Sequence, residues 1–148
     1  MQRTIRQILA RKSGQIWAVS PEATVYEALE VLAAKNIGAV LVLDQGRLCG
    51  ILSERDYTRK VVLAGRSSRT TQVSEIMTER VLVISPDDSI DKCMALMTDK
   101  RVRHLPVMEK ERLVGVISIG DVVRALIEDQ EFMIEQLETY ITGRPALA

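Results

Sequence analysis

The sequence VGVISIGD at residues 114–121 is an apolar run that ends at Ser118, with Asp121 three residues later. The sequence CGILSERD at residues 49–56 has the same form. Each copy predicts a buried strand that leads into a helix, because the apolar run stops at a residue type that caps helices well. Two copies of this junction indicate a fold that is built from a repeat.

An offset of 65 positions aligns residues 20–59 with residues 85–124 without a gap. Many of the non-identical pairs exchange one apolar residue for another, which keeps the same positions available for a core. This agreement indicates an internal duplication. Ten pairs are identical, and their members in the first repeat are Ser20, Pro21, Lys35, Val42, Arg47, Leu48, Gly50, Ser53, Asp56 and Arg59.

Each repeat is predicted to run β-α-β-β-α, so the fold class is α+β. Neither repeat has much core of its own at roughly 60 residues. We therefore expect the two repeats to pack their sheets face to face about a pseudo-twofold axis, with clefts where they meet. The predicted elements are short leading helices at 4–10 and 73–77, strands at 16–19 and 81–84, helices capped by Thr24 and Ser89, hairpins within 39–52 and 105–117, and a helix at each Ser-x-x-Asp.

The predicted domains are residues 1–65 for the first repeat and 73–148 for the second, joined by a polar linker at 66–72 that is expected to be mobile. The second repeat ends in a helix from Ser118 to about Ile141, much longer than its counterpart. Its apolar stripe continues past the repeat, which predicts packing against a second subunit. The alternative is a helix that folds back on its own domain.

Composition excludes several classes of protein. The formal net charge is zero, from 20 basic and 20 acidic residues, so no overall field favours nucleic acid or an anionic membrane. The start of the chain lacks the apolar core of a secretion signal, and no apolar run approaches the roughly 20 residues of a membrane span. We expect a cytoplasmic protein. Cys49 and Cys93 have apolar counterparts in the other repeat, which favours small core residues over redox-active thiols.

Each Ser-x-x-Asp motif has two interpretations. In a capping box, serine and aspartate satisfy each other's backbone N–H groups at the start of the helix. In a binding site, the helix N-terminus attracts phosphate oxygens, and the aspartate accepts hydrogen bonds from a vicinal diol such as that of ribose.

The segment KRVRHLPV at residues 100–107 replaces Asn36, Gly38 and Ala39 of the first repeat with Arg101, Arg103 and His104. Cationic side chains of this kind suit phosphate recognition, and the alternative is a solvated basic edge. One histidine without an evident nucleophile, and two scattered cysteines, predict neither an enzyme nor a metal site.

The duplicated unit, the two glycine-containing Ser-x-x-Asp junctions, RHLPV at residues 103–107 and SERDY at residues 53–57 resemble a tandem pair of CBS domains, a Bateman module, over about residues 4–130. The resemblance implies a pseudo-symmetric pair that dimerises further. It also implies clefts that bind AMP, ADP, ATP, S-adenosylmethionine or NAD(H).

The resemblance places the ribose-binding pairs at Ser53 with Asp56 and at Ser118 with Asp121. It implies that residues of both repeats line each cleft and that the Asp56 site is the more complete. The implied neighbours of the Asp56 site are Ile51, Thr78, Val81, Val102, Arg103 and His104, and those of the Asp121 site are Val116, Ile16, Ile37 and Gly38.

The sequence thus predicts a regulatory module, not an enzyme, that binds an adenine nucleotide, AMP first among the candidates, without a catalytic cofactor. It would be a homodimer and would pass ligand occupancy to an effector protein. The alternative is a structural or protein-interaction module without a ligand. Single-stranded nucleic-acid binding through the basic segment is a third interpretation, which the neutral charge disfavours.

Overall fold

The computed structural model describes residues 3–12 and 14–143. It is a mixed α and β fold, as the sequence predicts. The elements in chain order are α1 Ile5–Leu9, β1 Ala18–Val19, α2 Val25–Lys35, β2 Ala39–Asp44, β3 Arg47–Ser53, α3 Glu54–Tyr57 with a π-helical turn Thr58–Val62, α4 Val73–Ile76, α5 Ile90–Lys100, β4 His104–Glu109, β5 Arg112–Ser118 and α6 Ile119–Thr142.

The duplication is visible in backbone detail. Helices α2 and α5 both end in a left-handed residue, Asn36 and Arg101, at equivalent positions. The β2–β3 and β4–β5 hairpins are both antiparallel, and each has a register shift at the same place, after Val42 and after Val107. A bulge of this kind is a specific local feature. Its recurrence confirms that the two repeats share one fold.

The compact units of the structure do not coincide with the sequence repeats. One unit, the continuous unit, spans Gln15–Val83. The other, the split unit, combines the residues up to Gly14 with those from Ile84 onward. Each leading helix therefore belongs to the sheet of the other repeat, because α1 lies in the split unit and α4 in the continuous unit.

Backbone hydrogen bonds hold the leading helices in these places. In the split unit, the Arg6 N–H donates to the Pro86 carbonyl at 2.8 Å. In the continuous unit, the Val73 N–H donates to the Ala23 carbonyl at 2.8 Å. Both bonds join the start of a leading helix to the loop before a long helix. Each leading helix is therefore attached to the other repeat in the same way.

The continuous unit has a three-stranded sheet in the order β1-β2-β3, with β1 parallel to β2. Helices α2 and α4 supply apolar side chains to the core beneath it. Thr24 caps α2 by accepting a hydrogen bond from the Glu27 N–H at 3.1 Å. The buried core residues of this unit are Val25, Ala28, Leu32, Val40, Val42, Leu52, Val61, Val73 and Ile76.

The split unit has the β4–β5 hairpin, with α1, α5 and α6 as its helices. Ile84 makes a single parallel bridge to Val107, so the predicted strand at residues 81–84 is wrong. Only Ile84 of that apolar run hydrogen-bonds to β4. Helix α6 has 24 residues and ends at the left-handed Gly143, close to the predicted boundary.

The segment predicted to be a mobile linker is anchored to the continuous unit. The Thr71 side chain is buried and donates a hydrogen bond to the Ser67 carbonyl at 2.7 Å. Its own carbonyl accepts from the Val25 N–H at 2.8 Å, and Arg69 stacks on the Tyr26 ring at 4.0 Å. The polar composition of this segment thus reflects local hydrogen bonding.

Two glycines allow the leading helices to lie close to the hairpins. A Cβ atom at Gly115 would lie 2.7 Å from a methyl carbon of Leu9, and one at Gly50 would lie 2.5 Å from the sulfur of Met77. The Gly50 position is tighter, because the backbone oxygen of Thr78 also lies 3.2 Å from the same point. Both glycines stand at the same place in the repeat.

We predict that Gly115→Ala lowers the free energy of unfolding by about 1 kcal/mol and Gly50→Ala by about 2–3 kcal/mol. The flexible end of Leu9 can move aside, whereas the Thr78 backbone can move only by disturbing its bridge to β3. Urea unfolding of both variants checks this order. Leu9→Ala is the matched partner of Gly115→Ala, because it removes the side chain that the new methyl group would meet. The double variant should therefore lose less stability than the sum of the two single losses. A loss equal to that sum would contradict the explanation.

Candidate functional site

The first Ser-x-x-Asp motif lies where β3 passes into α3. The Ser53 N–H donates to the Asp56 carboxylate at 3.0 Å, and the Ser53 hydroxyl accepts from the Asp56 N–H at 3.1 Å. The serine and the aspartate therefore form the capping box that the sequence allows. The same bonds hold the carboxylate at the start of the helix, with its side chain 13% exposed.

Thr78 completes the surroundings of this carboxylate. Its backbone pairs with Ile51 on β3 through two hydrogen bonds of 3.1 and 2.9 Å. Its hydroxyl donates to Asp56 Oδ1 at 3.3 Å. The structure thus brings together four predicted site residues of the continuous unit, Ile51, Ser53, Asp56 and Thr78.

Lys60 is a neighbour of this carboxylate that the motif analysis missed. Its ammonium lies 3.0 Å from Asp56 Oδ1 and donates to the Ile76 carbonyl at 2.9 Å. A signal was present in the sequence, because an aspartate and a lysine four residues apart meet on one face of a helix. Lys60 adds a positive charge beside the predicted ribose-binding group.

The second motif repeats the capping box at the junction of β5 and α6. The Ser118 N–H donates to Asp121 Oδ2 at 2.9 Å, and the Ser118 hydroxyl accepts from the Asp121 N–H at 3.2 Å. Val116 stands two residues earlier on β5, equivalent to Ile51. The Asp121 side chain is 11% exposed, so the two carboxylates are similarly shielded from solvent.

Lys12 engages the second carboxylate directly. Its ammonium lies 2.7 Å from Asp121 Oδ2 and donates to the Val116 carbonyl at 2.7 Å. Burial raises the pKa of Asp121, but hydrogen bonds from Lys12 and from the Ser118 backbone outweigh it and leave the pKa below its usual value. No local pattern pointed to Lys12, since it precedes Asp121 by 109 positions.

The basic segment of the second repeat lies at the start of α6 within the split unit. The Arg103 carbonyl accepts the Ile119 N–H at 2.8 Å, and the Arg103 side chain is exposed. His104 stands opposite Ser118 in the β4–β5 register. Val102 is half-buried beside them. Their predicted position facing Asp56 stays a prediction.

The equivalent residues of the first repeat lie at the start of α3. The Gly38 carbonyl accepts the Glu54 N–H at 3.0 Å. Ile37 and Gly38 line a cavity of about 540 Å³ whose other walls come from α2 and from the start of α3. Val81 and Ile16, both half-buried, belong to the same unit. The expectation that Ile16, Ile37 and Gly38 face Asp121 stays a prediction.

The thiols and the acidic side chains do not assemble into a metal site in the described part of the chain. No group of three histidine, cysteine or acidic residues is placed to hold an ion across residues 3–12 and 14–143.

Cys93 is fully buried, and burial raises its pKa to about 11. Cys49 packs against the core, and burial also raises its pKa. Cys93 is thus the core residue that the sequence predicts, and Cys49 is half-buried at the edge of the core.

The chain is similar to known proteins along most of its length. The CBS domain family matches it twice, at residues 5–63 and 73–128. A relative from Arabidopsis thaliana, the mitochondrial CBS domain-containing protein CBSX3, is 40% identical over 133 residues. That alignment covers 86% of this chain but only 64% of CBSX3, so this chain spans less than two thirds of that relative.

Solved structures share the fold. A protein with CBS domains from Burkholderia ambifaria MC40-6 is 50% identical, with a TM-score of 0.83, and the match covers 86% of this chain and 96% of that one. The CBS domain pair of protein MJ0100, solved with 5′-methylthioadenosine and S-adenosylmethionine, is 23% identical with a TM-score of 0.75 over 87% of this chain and 99% of that one. The internal duplication, the two capped junctions and these matches have one explanation: the chain belongs to the CBS-domain family, as a pair of CBS repeats with a C-terminal helix.

Proposed function

We propose that this protein is a regulatory module that binds an adenosine-containing ligand through Asp56, and in a second site through Asp121. The proposal rests on the hydrogen-bond donors around Asp56, which a ligand hydroxyl could replace. The Thr78 hydroxyl reaches this carboxylate at 3.3 and 3.5 Å, which is long for a hydrogen bond between oxygens. A ribose hydroxyl can replace such a donor at low cost.

The capping box prepares this carboxylate for a diol. Because the Ser53 N–H and hydroxyl both donate to Oδ2, Oδ1 is oriented toward the surroundings of Thr78 and Lys60. A carboxylate accepts several hydrogen bonds, so the cap and a ribose can share it. The binding and capping interpretations of the motif are therefore compatible.

Lys60 and Lys12 distinguish the two sites. At Asp56 the ammonium of Lys60 is shared with a backbone carbonyl, and its side chain is 44% exposed. At Asp121 the shorter bonds of Lys12 reach both the carboxylate and the Val116 carbonyl, which a ligand would have to displace. We therefore assign the tighter site to Asp56.

The ligand class is an adenosine-containing molecule, with AMP as the first candidate and ADP, ATP, NAD(H) and S-adenosylmethionine as the others. The complex of MJ0100 supports the choice of adenosine compounds for testing. Ligand binding would regulate the protein only if it favours one of two arrangements of the repeats or subunits. We propose a homodimer that passes this change to an effector protein, with no chemistry of its own. The cytoplasmic location remains an expectation.

A second function, a ligand-free interaction module, is favoured by one observation. Both capping boxes are complete, and each aspartate has an ion pair. A purely structural motif would need nothing more. It predicts that each aspartate contributes about 1 kcal/mol to stability and nothing to nucleotide binding.

We predict that Asp56→Asn weakens AMP binding at least tenfold, because the amide keeps one cap acceptor but loses the charge and one acceptor oxygen. Asp121→Asn should have a smaller effect on the tighter of the two affinities. Titration calorimetry with AMP, ATP, NADH and S-adenosylmethionine measures both variants.

Asp88→Asn is the matched control for this experiment. Its carboxylate accepts the Ser85 N–H at 2.8 Å and pairs with Lys92 at 3.0 Å, but it lies outside both motifs. The control should bind AMP as the unmodified protein does. Equal affinities in all three variants would contradict the site, and no binding of any nucleotide by the unmodified protein would favour the interaction module.

We predict that Lys12→Met lowers the free energy of unfolding by about 1 kcal/mol at pH 7, because it leaves Asp121 without its ammonium partner. The lowered pKa of Asp121 makes this contribution present above the unfolded value of about 4 and lost as the pH falls through the folded value. Urea unfolding at pH 7 and near pH 2 should therefore show the difference shrinking in acid.

Arg124→Met is the control for the loss of Lys12, since Arg124 lies 3.7 Å from Asp121 and its side chain is 71% exposed. It should lower the free energy of unfolding less than Lys12→Met does at pH 7, because its charge is more exposed and lies farther from the carboxylate. A Lys12→Met effect of the same size at both pH values would show that its origin is packing and not the ion pair.

A further inference from the structure

Helix α6 is supported by its own unit only along its first half. Val122 and Ala125 are buried there. From Gln130 to Thr142 every residue except Thr139 is exposed, and Tyr140 and Ile141 are 88% and 78% exposed. A helix of this length without packing is marginal in water. The second half therefore requires a surface against which to pack.

A set of apolar residues in α6, exposed except for the half-buried Leu126, follows a coiled-coil spacing. Steps of three and four residues connect the positions of one seam, with Gln130 as its single polar member. Three isoleucines run alongside this seam and widen the apolar face. The seam consists of Val123, Leu126, Gln130, Met133, Leu137 and Tyr140, and the flanking residues are Ile127, Ile134 and Ile141.

The first half of α6 carries a groove on this same face. The groove has a volume of about 530 Å³, and its lining includes Ile119, Gly120, Val123 and Ile127. Gly120 is not required by the unit itself, because a Cβ atom there would meet nothing nearer than the Ser118 hydroxyl at 3.6 Å. A glycine in a helix costs stability, so the space above Gly120 suggests a neighbour that needs it.

We propose that α6 pairs antiparallel with α6 of a second copy of this chain, with Tyr140 and Ile141 of each copy over Gly120 and Val123 of the other. This register places Leu126 opposite Leu137 and Gln130 opposite Met133. Each copy then supplies both the groove and the apolar segment that fills it, as a twofold interface requires. The inference names the contact for the homodimer proposed above and does not depend on a bound nucleotide.

Charge favours the antiparallel direction. Arg124 is the one basic residue of α6. The acidic residues of the first half, Asp121, Glu128 and Asp129, already form ion pairs with Lys12, Arg3 and Arg11 of the same unit. The second half of the helix carries Glu131, Glu135 and Glu138. A parallel pair would align these acidic residues with their own copies. The antiparallel pair brings Arg124 beside Glu138 of the second copy, and its present contact with Asp121 is a long 3.7 Å.

The first test is the mass in solution, measured by sedimentation velocity from about 1 to 100 μM. Leu137→Glu should convert the dimer to a monomer, because it places a charge in the apolar seam. Phe132→Glu is the matched control: Phe132 is 60% exposed on the same half of the helix but lies off the seam. A Leu137→Glu variant that remains dimeric, or a Phe132→Glu variant that dissociates equally, overturns the proposal.

The second test uses disulfide cross-linking to determine whether the two α6 helices run antiparallel. It is carried out in a Cys49→Ala, Cys93→Ala background that is shown by circular dichroism to be folded. Val123→Cys with Tyr140→Cys should give a cross-linked dimer under mild oxidation, and each single variant should not. Cross-linking of Leu137→Cys alone would indicate a parallel pair and overturn the antiparallel register. Calorimetry with AMP on Leu137→Glu separates this result from the nucleotide proposal, since the Asp56 site lies outside α6.

Discussion

The mutual capping of a serine and an aspartate is the interaction on which both repeats depend. At each junction it ends a buried strand, starts a helix and holds a carboxylate at one place beside the sheet. The same two residues therefore serve folding and the proposed recognition, because a carboxylate has more acceptor capacity than one cap uses. This double use explains why a motif that stabilises a helix start can also be the centre of a binding site.

The exchange of leading helices makes the two copies of the motif unequal. Helix α4 brings Thr78 and the Ile76 carbonyl to the first carboxylate, and the segment after α1 brings Lys12 to the second. At the 65-residue offset Lys12 corresponds to Met77, so one position contributes a charge in one unit and an apolar packing contact in the other. A duplicated scaffold has thus acquired two different electrostatic environments by changes outside the duplicated motif.

Much of the fold could be predicted from the sequence because its signals are local. The hairpins, the caps at Thr24 and Ser89 and the long C-terminal helix depend on neighbours within a few residues. The apolar residues before Ile84 resemble a strand, but a strand needs a partner, and only Ile84 has one. Lys12 and the exchanged helices depend on contacts between distant segments, which no periodicity reveals. The polar composition of residues 66–72 predicts a mobile linker, but hydrogen bonds to the start of α2 anchor this segment.

The interrupted path of the split unit has a consequence for how the chain folds. Its N-terminal part must meet a sheet that begins only after residue 83, so its formation closes a loop that contains residues 15–83. For a flexible loop of that size the entropic cost is about 4 kcal/mol. The continuous unit is complete once residue 83 has been synthesised, so it can fold before the later part of the split unit emerges, which shortens the loop. Folding of the continuous unit thereby lowers the entropic cost of closing the split unit, and the topology favours this order of folding.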